Sequence, residues 1–327
     1  MKVLVTGGAG FIGSHVCKAL AEAGHEPVVL DNLRTGHLWA ARFGPFVHGD
    51  ILEIERVAEA LKTHRVDIVM HFAALAYVGE SISEPDIYYR TNVIGSLSLL
   101  NAMRLAGVSR IVFSSTCATF GNVDRKIGDN EAQNPINPYG ASKLMVERIL
   151  RDYAAAYGIG SVALRYFNAA GCDPSGELGE VHDPETHLLP IALQVAAGTR
   201  SQLDVFGTDY PTPDGTCIRD YIHVCDLADA HVAALNVLET GVFKAFNLGN
   251  GNGFSVRQVI DRVEAVTGRK VVWQAAPRRL GDPPLLVADA TAARVKLGWV
   301  PRFSSLDDMI SHGWSFMNNQ QNKLAAT

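Results

Sequence analysis

Residues 2–13, Lys2-Val3-Leu4-Val5-Thr6-Gly7-Gly8-Ala9-Gly10-Phe11-Ile12-Gly13, decide the fold class of this chain. The first five form a short apolar run, rich in β-branched residues, that predicts a buried parallel strand. Three glycines follow at GxxGxxG spacing, and residues 14–23 then show helical periodicity. Glycines let backbone approach a pyrophosphate, which sits at a helix N-terminus. The stretch therefore predicts a nucleotide site; a plain Gly-rich turn is the alternative.

An acidic residue completes this unit. A second predicted strand, 26–30, ends at Asp31, eighteen residues after Gly13. That spacing suits a carboxylate that accepts a hydrogen bond from a ribose 2′-hydroxyl, which favours NAD over NADP. Arg34 lies close by and weakens this preference.

Strands and helices continue to alternate along the first half of the chain. This pattern predicts an α/β fold with a doubly wound parallel sheet of the Rossmann type. We expect a nucleotide-binding domain at 1–165 and a smaller α/β domain at 166–327, with 223–250 returning to the first domain. The predicted strands and helices are 45–47, 52–62, 66–72, 85–106, 110–113, 137–150, 161–164, 188–197, 203–207, 219–224, 226–239, 255–268, 289–297 and 306–316.

The composition limits the class of protein. The chain has 327 residues, 47% of them hydrophobic and 19% charged, which is typical of a soluble globular protein. A net charge of −5 gives no reason to expect nucleic acid or an anionic membrane. No apolar run reaches the length of a membrane span, and the first residues do not resemble a signal peptide. The five cysteines lack CxxC spacing, so we expect a cytoplasmic protein without disulfides or a zinc site.

The candidate catalytic pair lies in Asn137-Pro138-Tyr139-Gly140-Ala141-Ser142-Lys143. Asn137 suits a helix N-cap and Pro138 the first helical position. Tyr139 and Lys143 then share one helix face. A phenol beside an ammonium and a helix N-terminus should ionise below its usual pKa of about 10, and become a usable base. Alternatively, the YxxxK spacing arises by chance on a surface helix.

Several other polar or small residues stand where strands end. Asp50 is a candidate contact for an adenine amino group or the N-cap of helix 52–62. Ala73-Ala74 would let a cofactor lie close to backbone, or only permit helix packing. Asn92 is either a core amide or a group facing the cofactor. The hydroxyls of 114–116 would bond a substrate hydroxyl, or satisfy their own turn.

A basic and acidic cluster stands near the end of the chain, at 278–282, with the sequence RRLGD. Two arginines and a carboxylate beside a glycine suit a phosphate and a ribose. A surface ion-pair network is the alternative.

With these residues assembled, the chain resembles the extended short-chain dehydrogenase/reductases, and within them the family of UDP-glucose 4-epimerases. The resemblance runs from Met1 to about Trp314. Its markers are TGGAGFIGSH (6–15), DNL (31–33), HFAA (71–74), FSSTCATFG (113–121), NPYGASK (137–143), RYFNAAG (165–171), DGTCIRDYIHVCDLADAH (214–231), FNLGNG (246–251) and RRLGD (278–282).

The resemblance implies a set of site residues and two domain roles, NAD binding at 1–165 and UDP-sugar binding at 166–327. With the glycine turn and the strand-end residues above, the predicted NAD contacts are Gly7, Gly10, Phe11, Ile12, Gly13, Asp31, Asn32, Asp50, Ile51, Phe72, Ala73, Ala74, Asn92, Ser114, Tyr139, Lys143 and Phe167. The predicted UDP-sugar contacts are Thr116, Tyr139, Asn168, His187, Leu188, Val205, Phe206, Arg219, Arg279 and Asp282.

Three positions depart from the family's pattern or vary within it. Phe120 stands where a tyrosine is usual, which removes a hydroxyl near the catalytic strand. His187 replaces an asparagine that commonly binds pyrophosphate, and its imidazole would have to act as the donor. Leu286 falls where side-chain bulk tends to decide whether an N-acetylated sugar fits, and its intermediate size leaves both outcomes open.

The resemblance implies reversible interconversion of UDP-galactose and UDP-glucose, a step of galactose metabolism, through a 4-keto sugar and bound NAD. Tyr139 would exchange the proton of the sugar 4-hydroxyl, Thr116 would bond that oxygen, and Lys143 would lower the tyrosine pKa and hold the nicotinamide ribose. By the same resemblance, helices 85–106 and 137–157 would pair across a homodimer.

Three other functions share part of this pattern. A nucleotide-sugar 4,6-dehydratase carries an Asp-Glu pair after its catalytic threonine, whereas Cys117-Ala118 follow Thr116 here. A 4-epimerase of UDP-N-acetylglucosamine, UDP-glucuronate or UDP-xylose stays open. A non-catalytic NAD-binding regulator would not need Thr116, Tyr139 and Lys143 together.

Overall fold

The fold is built from parallel strands and the helices between them. It is described from a computed structural model, for residues 1–123, 125–279 and 282–325. The strands are β1 (Lys2–Thr6), β2 (Glu26–Asp31), β3 (Phe46–His48), β4 (Ile68–His71), β5 (Arg110–Thr116), β6 (Gly160–Tyr166), β7 (Asn168–Ala170), β8 (Leu203–Phe206), β9 (Ile218–His223), β10 (Phe243–Leu248), β11 (Gly253–Ser255), β12 (Trp273–Ala276) and β13 (Leu285–Leu286).

The helices connect these strands. They are α1 (Phe11–Glu22), α2 (Ile54–Thr63), α3 (Val78–Ser83), α4 (Pro85–Tyr88), α5 (Gly95–Ala106), α6 (Pro138–Tyr157), α7 (Leu188–Ala196), α8 (Val224–Ala234), α9 (Val256–Thr267), α10 (Thr291–Leu297) and α11 (Leu306–Ala325). Among the described residues, none of these helices is both long enough and apolar enough to cross a membrane.

The central sheet confirms the predicted fold class. Its seven strands run in the order β10-β6-β5-β4-β1-β2-β3, and every neighbouring pair is parallel. Val3 and Val5 pack on one face of the sheet with apolar residues of α1 and α8, whereas Leu4 packs on the other face with α2, α5 and α6. Because both faces are covered by helices, the strands are apolar throughout instead of alternating.

The second half of the chain forms a smaller group of short strands and helices. Strand β9 lies between β11 and β13 and also pairs with β7, while β8 pairs with β12. Helices α7, α9 and α11 pack on these strands around a separate apolar cluster. Strand β10 belongs to the central sheet, where it pairs in parallel with β6. The domain boundary at residue 165 stays a prediction.

Three predicted elements differ from the structure. The predicted helix 85–106 is interrupted by a π-helical segment, Tyr89–Ile94, between α4 and α5. Glu53 occupies the N-cap position of α2 without a capping hydrogen bond from its side chain, so Asp50 is not the N-cap. Helix α11 continues past its predicted end at residue 316 to Ala325, because Met, Gln, Lys, Leu and Ala are good helix formers.

Candidate active site

A large cleft lies at the carboxyl ends of the central strands, where β1 is flanked by β4 and β2. Its volume is about 1320 Å³, and residues of both halves of the chain line it. The chain leaves β1 toward β2 on one side and reaches β4 on the other, which makes a topological switch point. Ligands of open α/β sheets bind in the crevice at this point.

The glycine turn leads directly into α1. Gly10 is the N-cap of α1, no side chain caps this terminus, and its first turn carries no acidic residue. The backbone N–H groups of the first turn therefore remain free of side-chain caps and lie beside the cleft, which Gly10, Phe11 and Ile12 line. Such a terminus suits a pyrophosphate, so this part of the site fits a dinucleotide.

Close packing explains the glycines of this turn. Gly7 has φ +71°, and a Cβ there would lie 2.6 Å from the backbone nitrogen of Ala73. A Cβ on Gly13 would lie only 2.2 Å from the carbonyl oxygen of Gly7. Backbone atoms block both positions, so no flexible side chain can move aside to make room.

We expect Gly13→Ala to lower the free energy of unfolding by about 1–3 kcal/mol, the usual range for overpacking. Gly79→Ala in α3 is the matched control, because a Cβ there meets nothing within 4 Å. The control should stay within about 1 kcal/mol of the parent or gain stability, since alanine is the better helix former. Urea denaturation of both variants measures the difference, and equal midpoints would contradict the packing argument.

Asp31 lies beside the glycine turn at the end of β2. Its carboxylate accepts a hydrogen bond from the backbone N–H of Ala9 at 3.0 Å and another from that of Leu33 at 2.8 Å. Burial raises the pKa of Asp31 above its usual value, and these two hydrogen bonds oppose that effect. A carboxylate has about four acceptor positions, so capacity for a ribose hydroxyl remains. Arg34 lines the same cleft.

Asn32 and Asp50 form the next part of this wall. The Asn32 amide donates to the Asp50 carboxylate at 2.8 Å, and the backbone N–H of Leu52 donates to the other oxygen of Asp50 at 2.9 Å. Both residues line the cleft. The hydrogen bond between these two side chains and the backbone N–H of Leu52, in the loop after β3, therefore fix their positions.

The three candidate catalytic residues meet at the carboxyl end of β5. Lys143 donates from Nζ to the carbonyl oxygen of Ser114 at 2.9 Å. Thr116, the last residue of β5, lies near enough to Tyr139 for its hydroxyl to lower the pKa of the phenol. Thr116 also accepts from the backbone N–H of Ala118 at 3.1 Å, which fixes its side chain. All three side chains line the cleft.

The prediction that the pKa of Tyr139 falls below its usual value is wrong in this structure. Burial raises the pKa of Tyr139 above its usual value, the nearby Tyr166 adds to the rise, and the contact with Thr116 only partly opposes it. Burial also lowers the pKa of Lys143 to about 7. An ammonium with that pKa carries only part of its charge at neutral pH. Lys143 therefore stabilises the Tyr139 phenolate less than a fully charged ammonium one helical turn away would.

Helix α6 begins as predicted. The Asn137 side chain accepts from the backbone N–H of Gly140 at 2.9 Å, and Pro138 is the first helical residue. Buried Asn92 uses all of its amide: its oxygen accepts from the Leu75 N–H, and its nitrogen donates to the Leu75 carbonyl and to the Ser142 hydroxyl. Asn92 is therefore a satisfied core amide that ties the loop after β4 to α6, and it is not among the residues that line the cleft.

A buried ion pair that was not predicted from the sequence holds α6 against the central sheet. Arg165 donates to Glu147 through Nε at 2.8 Å and through a terminal nitrogen at 2.6 Å. Ser115 donates to the same carboxylate at 2.6 Å. The side chain of Glu147 is fully buried and that of Arg165 is only 2% exposed. The pair joins α6 to β6, and the Ser115 hydrogen bond joins it to β5, one residue before Thr116.

The other side of the cleft carries the predicted sugar-nucleotide contacts. Arg219 forms an ion pair with Asp282, and Arg279 lies over the Phe206 ring with its guanidinium carbon 3.9 Å from the centroid. Arg278 instead pairs with Asp209 at the surface at 2.7 Å. Of the arginines in the RRLGD motif, only Arg278 therefore fits the alternative of a surface ion-pair network. Residues 280 and 281 of the RRLGD motif lie outside the described residues.

Most of the predicted residues line this one cleft, but two do not. Val205 is buried in the apolar cluster of the smaller half, because alternate residues of β8 face opposite ways. Asn92 is the other exception. Those that line the cleft are Gly7, Gly10, Phe11, Ile12, Gly13, Asp31, Asn32, Asp50, Ile51, Phe72, Ala73, Ala74, Ser114, Thr116, Tyr139, Lys143, Phe167, Asn168, His187, Leu188, Phe206, Arg219, Arg279 and Asp282.

The departures from the family's pattern have distinct surroundings. Phe120 is buried against the Arg165 guanidinium, 5.3 Å from its ring centroid, and does not line the cleft. Leu286 does line it. His187 is the N-cap of α7, but its side chain makes no capping hydrogen bond and its Nδ1 lies 2.6 Å from a Glu180 oxygen.

Comparison with known proteins agrees with this geometry. A family model described as the NAD dependent epimerase/dehydratase family matches residues 3–249. The chain belongs to this family. Within it, the UDP-glucose 4-epimerase of Halalkalibacterium halodurans is 49% identical over 318 residues, which are 97% of this chain and 95% of that protein.

Solved structures of epimerases are similar over almost the whole chain. The crystal structure of UDP-glucose 4-epimerase from Brucella ovis in complex with NAD is 54% identical, with a TM-score of 0.92 over 96% of this chain and 98% of that one. The enzyme from Bifidobacterium longum, solved in complex with NAD+ and UDP, is 36% identical, with a TM-score of 0.94 over 98% and 99% of the two chains.

Two groups in this epimerase-family cleft were not predicted. Tyr166 lines it and shares a 2.5 Å hydrogen bond with the Ser114 hydroxyl. Its place next to Phe167 in the RYFN motif was a usable signal. The second group is a cluster of histidines and glutamates at 180–187, of which only His187 was predicted, as a sugar-nucleotide contact and not as a member of a cluster.

Proposed function

We propose that this chain catalyses the reversible interconversion of UDP-galactose and UDP-glucose, as a UDP-glucose 4-epimerase. The observation that carries the proposal is the meeting of Thr116, Tyr139 and Lys143 at the end of β5, in a cleft that both halves of the chain line. Relatives of nearly equal length carry this name. Because the similarity extends over almost the whole chain, it supports the same reaction here.

The residues of the first half fit NAD as the resident cofactor. The uncapped N-terminus of α1 would hold the pyrophosphate, and the Asp31 carboxylate would accept from the adenosine ribose. Lys143 would hold the other ribose from the β5 side. When bound, NAD supplies a cationic nicotinamide ring that accepts the hydride from the sugar C4 and returns it.

The remaining chemistry is proton transfer at the sugar 4-oxygen. Tyr139 would take the proton of the 4-hydroxyl as the C4–H bond of the sugar breaks. It would return the proton after the 4-keto sugar has turned. Thr116 would donate to or accept from the same oxygen, since its hydroxyl lies near Tyr139 and lines the same cleft. Because burial raises the pKa of Tyr139, a positive charge bound nearby is needed to bring the phenol into the range of a general base.

The 4-keto sugar must turn while the nucleotide stays bound. Arg219 and Asp282 would contact the ribose and phosphate side, and Phe206 with Arg279 offers a flat surface for the uracil. Asn168, Leu188 and Leu286 also line this side of the cleft. An anchored nucleotide and a loosely held hexose would allow the hydride to return to the opposite face.

One experiment tests the activity and the resident cofactor together. The purified chain is given UDP-galactose without added cofactor, and the products are followed by NMR. UDP-glucose appearing to an equilibrium mixture supports both proposals. No conversion, even with added NAD, would overturn the assignment. UDP-N-acetylglucosamine, UDP-glucuronate and UDP-xylose run in parallel would reveal the alternative in which another sugar is epimerised.

We also propose a cytoplasmic homodimer. Helices α5 and α6 carry large apolar side chains that are about half exposed, among them Leu105, Met145 and Tyr157. A self-complementary helical interface of this kind is typical of symmetric dimers. Light scattering coupled to size-exclusion chromatography should give twice the mass of the 35.3 kDa chain. A mass equal to that of one chain would exclude the dimer.

A further inference from the structure

Four ionisable side chains converge at the edge of the cleft, in the segment before α7. Glu180, His182, Glu185 and His187 each present one ligand atom, and these four atoms all lie within 4.8 Å of one another. The His187 Nδ1 lies 2.6 Å from Glu180 and 3.3 Å from Glu185. The His182 Nδ1 lies 3.2 Å from Glu180 and 3.6 Å from Glu185.

These short distances are not made by well-formed hydrogen bonds. The Nδ1 atoms of His182 and His187 are buried, and neither has a hydrogen-bond partner of acceptable geometry. Buried polar atoms are nearly always paired, so two such atoms aimed at the same carboxylates require an explanation. Direct ion pairing between imidazolium and carboxylate is one explanation, and a shared cation is the other.

The spacing is compatible with a shared cation. Zinc binds imidazole nitrogen and carboxylate oxygen at about 2.0–2.2 Å in a tetrahedron, which places neighbouring ligand atoms roughly 3.3–3.6 Å apart. Three of the four nitrogen–oxygen separations lie close to this range, with His182 facing one oxygen of Glu185 and His187 the other. The fourth, between His187 and Glu180, is shorter and would open slightly around an ion.

The surroundings also suit a metal. The carboxylates of Glu180 and Glu185 are only 5% exposed, so water does not compete strongly for them. The rings of Phe11 and Tyr77 pack edge-on against His182, with centroids 6.5 Å and 6.0 Å away. An apolar shell of this kind limits solvent access to a bound ion.

We propose that Glu180, His182, Glu185 and His187 form a binding site for one divalent transition-metal ion of the zinc class. Two imidazole ligands select zinc, cobalt, nickel or copper over magnesium and calcium, which prefer oxygen. The absence of cysteine motifs led us to expect no zinc site, but this ligand set contains no cysteine. None of the four proposed ligands is a predicted NAD contact, although Phe11, which packs against His182, is one, and His187 also belongs to the proposed sugar-nucleotide wall.

Direct metal binding is the primary test. The purified protein is stripped with a chelator, dialysed, and titrated calorimetrically with Zn²⁺ and, separately, Mg²⁺. We expect one Zn²⁺ per chain and no comparable Mg²⁺ binding. His182→Gln and Glu185→Gln should each weaken Zn²⁺ binding by more than the roughly 10–100-fold lost when only an outer hydrogen-bond partner of a ligand is removed. His64→Gln, at the end of α2, is the matched control and should bind normally.

Each outcome decides the proposal. Weakening in both cluster variants, with normal binding by the control, supports the site. No Zn²⁺ binding by the parent, or undiminished binding in either cluster variant, would overturn it in favour of direct ion pairing. Should a variant fail to fold, the parent's absorption spectrum with Co²⁺ decides: four-coordinate cobalt with nitrogen and oxygen ligands supports the site, and a six-coordinate aqua-like spectrum overturns it.

A functional consequence rests additionally on the proposed function. Metal binding would fix His187 in the cluster and stiffen the edge of the cleft, so Zn²⁺ should inhibit epimerisation. A chelator should reverse this inhibition, and the His182→Gln variant should largely escape it. Because metal binding is measured without substrate, a positive titration in a protein with no epimerase activity would leave the metal site standing and count only against the proposed function.

Discussion

Tyr139→Phe should lower kcat by about 10²–10⁴-fold, the usual contribution of a general acid–base group, or more if no water can replace the hydroxyl. The ring keeps its packing against Tyr88, whose ring lies edge-on with a centroid 6.5 Å away, so the fold should be unchanged. Only the phenol hydroxyl, which lies near Thr116, is lost. The conversion of UDP-galactose measures kcat, and calorimetry with UDP measures nucleotide binding, which should stay within a few-fold of the parent.

A second tyrosine on α6 gives the control. Tyr157 is about half exposed at the end of the helix, and its ring contacts Arg104 and Tyr153, far along α6 from the cleft. Tyr157→Phe should keep the parental kcat. Unchanged turnover in Tyr139→Phe would remove Tyr139 from the mechanism, whereas joint loss of turnover and UDP binding would point to a damaged cleft.

Glu147→Gln should lower the free energy of unfolding by about 3–5 kcal/mol, because it leaves the buried guanidinium of Arg165 without its counter-charge. The substituted amide can still accept from Arg165 or Ser115, but it cannot neutralise the charge. Residual hydrogen bonds from Arg165 to the Asp129 carbonyl and the Gln133 side chain offer no negative charge either. The midpoint of urea denaturation measures the change.

Two further variants separate burial from simple charge loss. Arg148→Ala breaks the ion pair with Asp152 on the same helix, where both side chains are exposed, and should cost no more than about 1 kcal/mol. The double variant Glu147→Leu/Arg165→Met removes both buried charges and should recover much of the loss, as apolar replacements of buried pairs often do. A single Glu147→Gln variant as stable as Arg148→Ala would refute the buried-charge argument.

The ion pair also bears on the site. Glu147 lies one turn beyond Lys143 and two turns beyond Tyr139 on the buried face of α6. Its partners Ser115 and Arg165 come from the strands that end at the cleft. We therefore expect the pair to set the depth of α6 against β5, and so the contact between Tyr139 and Thr116.

The sequence alone was sufficient for the fold class and for the residues that chemistry demands in a fixed local order. The glycine turn after β1, Asp31 at the end of β2, and the Asn137 cap of α6 depend on local geometry, and their spacing is visible in the chain. Thr116, Tyr139 and Lys143 were identified because they recur in motifs, and strands of a parallel sheet bring such motifs to one edge.

The tertiary structure decided what depends on burial and on partners distant in sequence. Asn92 proved to be a core amide because Leu75 and Ser142 use its polar atoms, and Val205 turned inward because β8 has one apolar face. The pKa of Tyr139 rises instead of falling, since desolvation outweighs the neighbours that spacing suggests. The Glu147–Arg165 pair and the cluster at 180–187 exist only once folding removes water and brings their polar atoms within bonding distance.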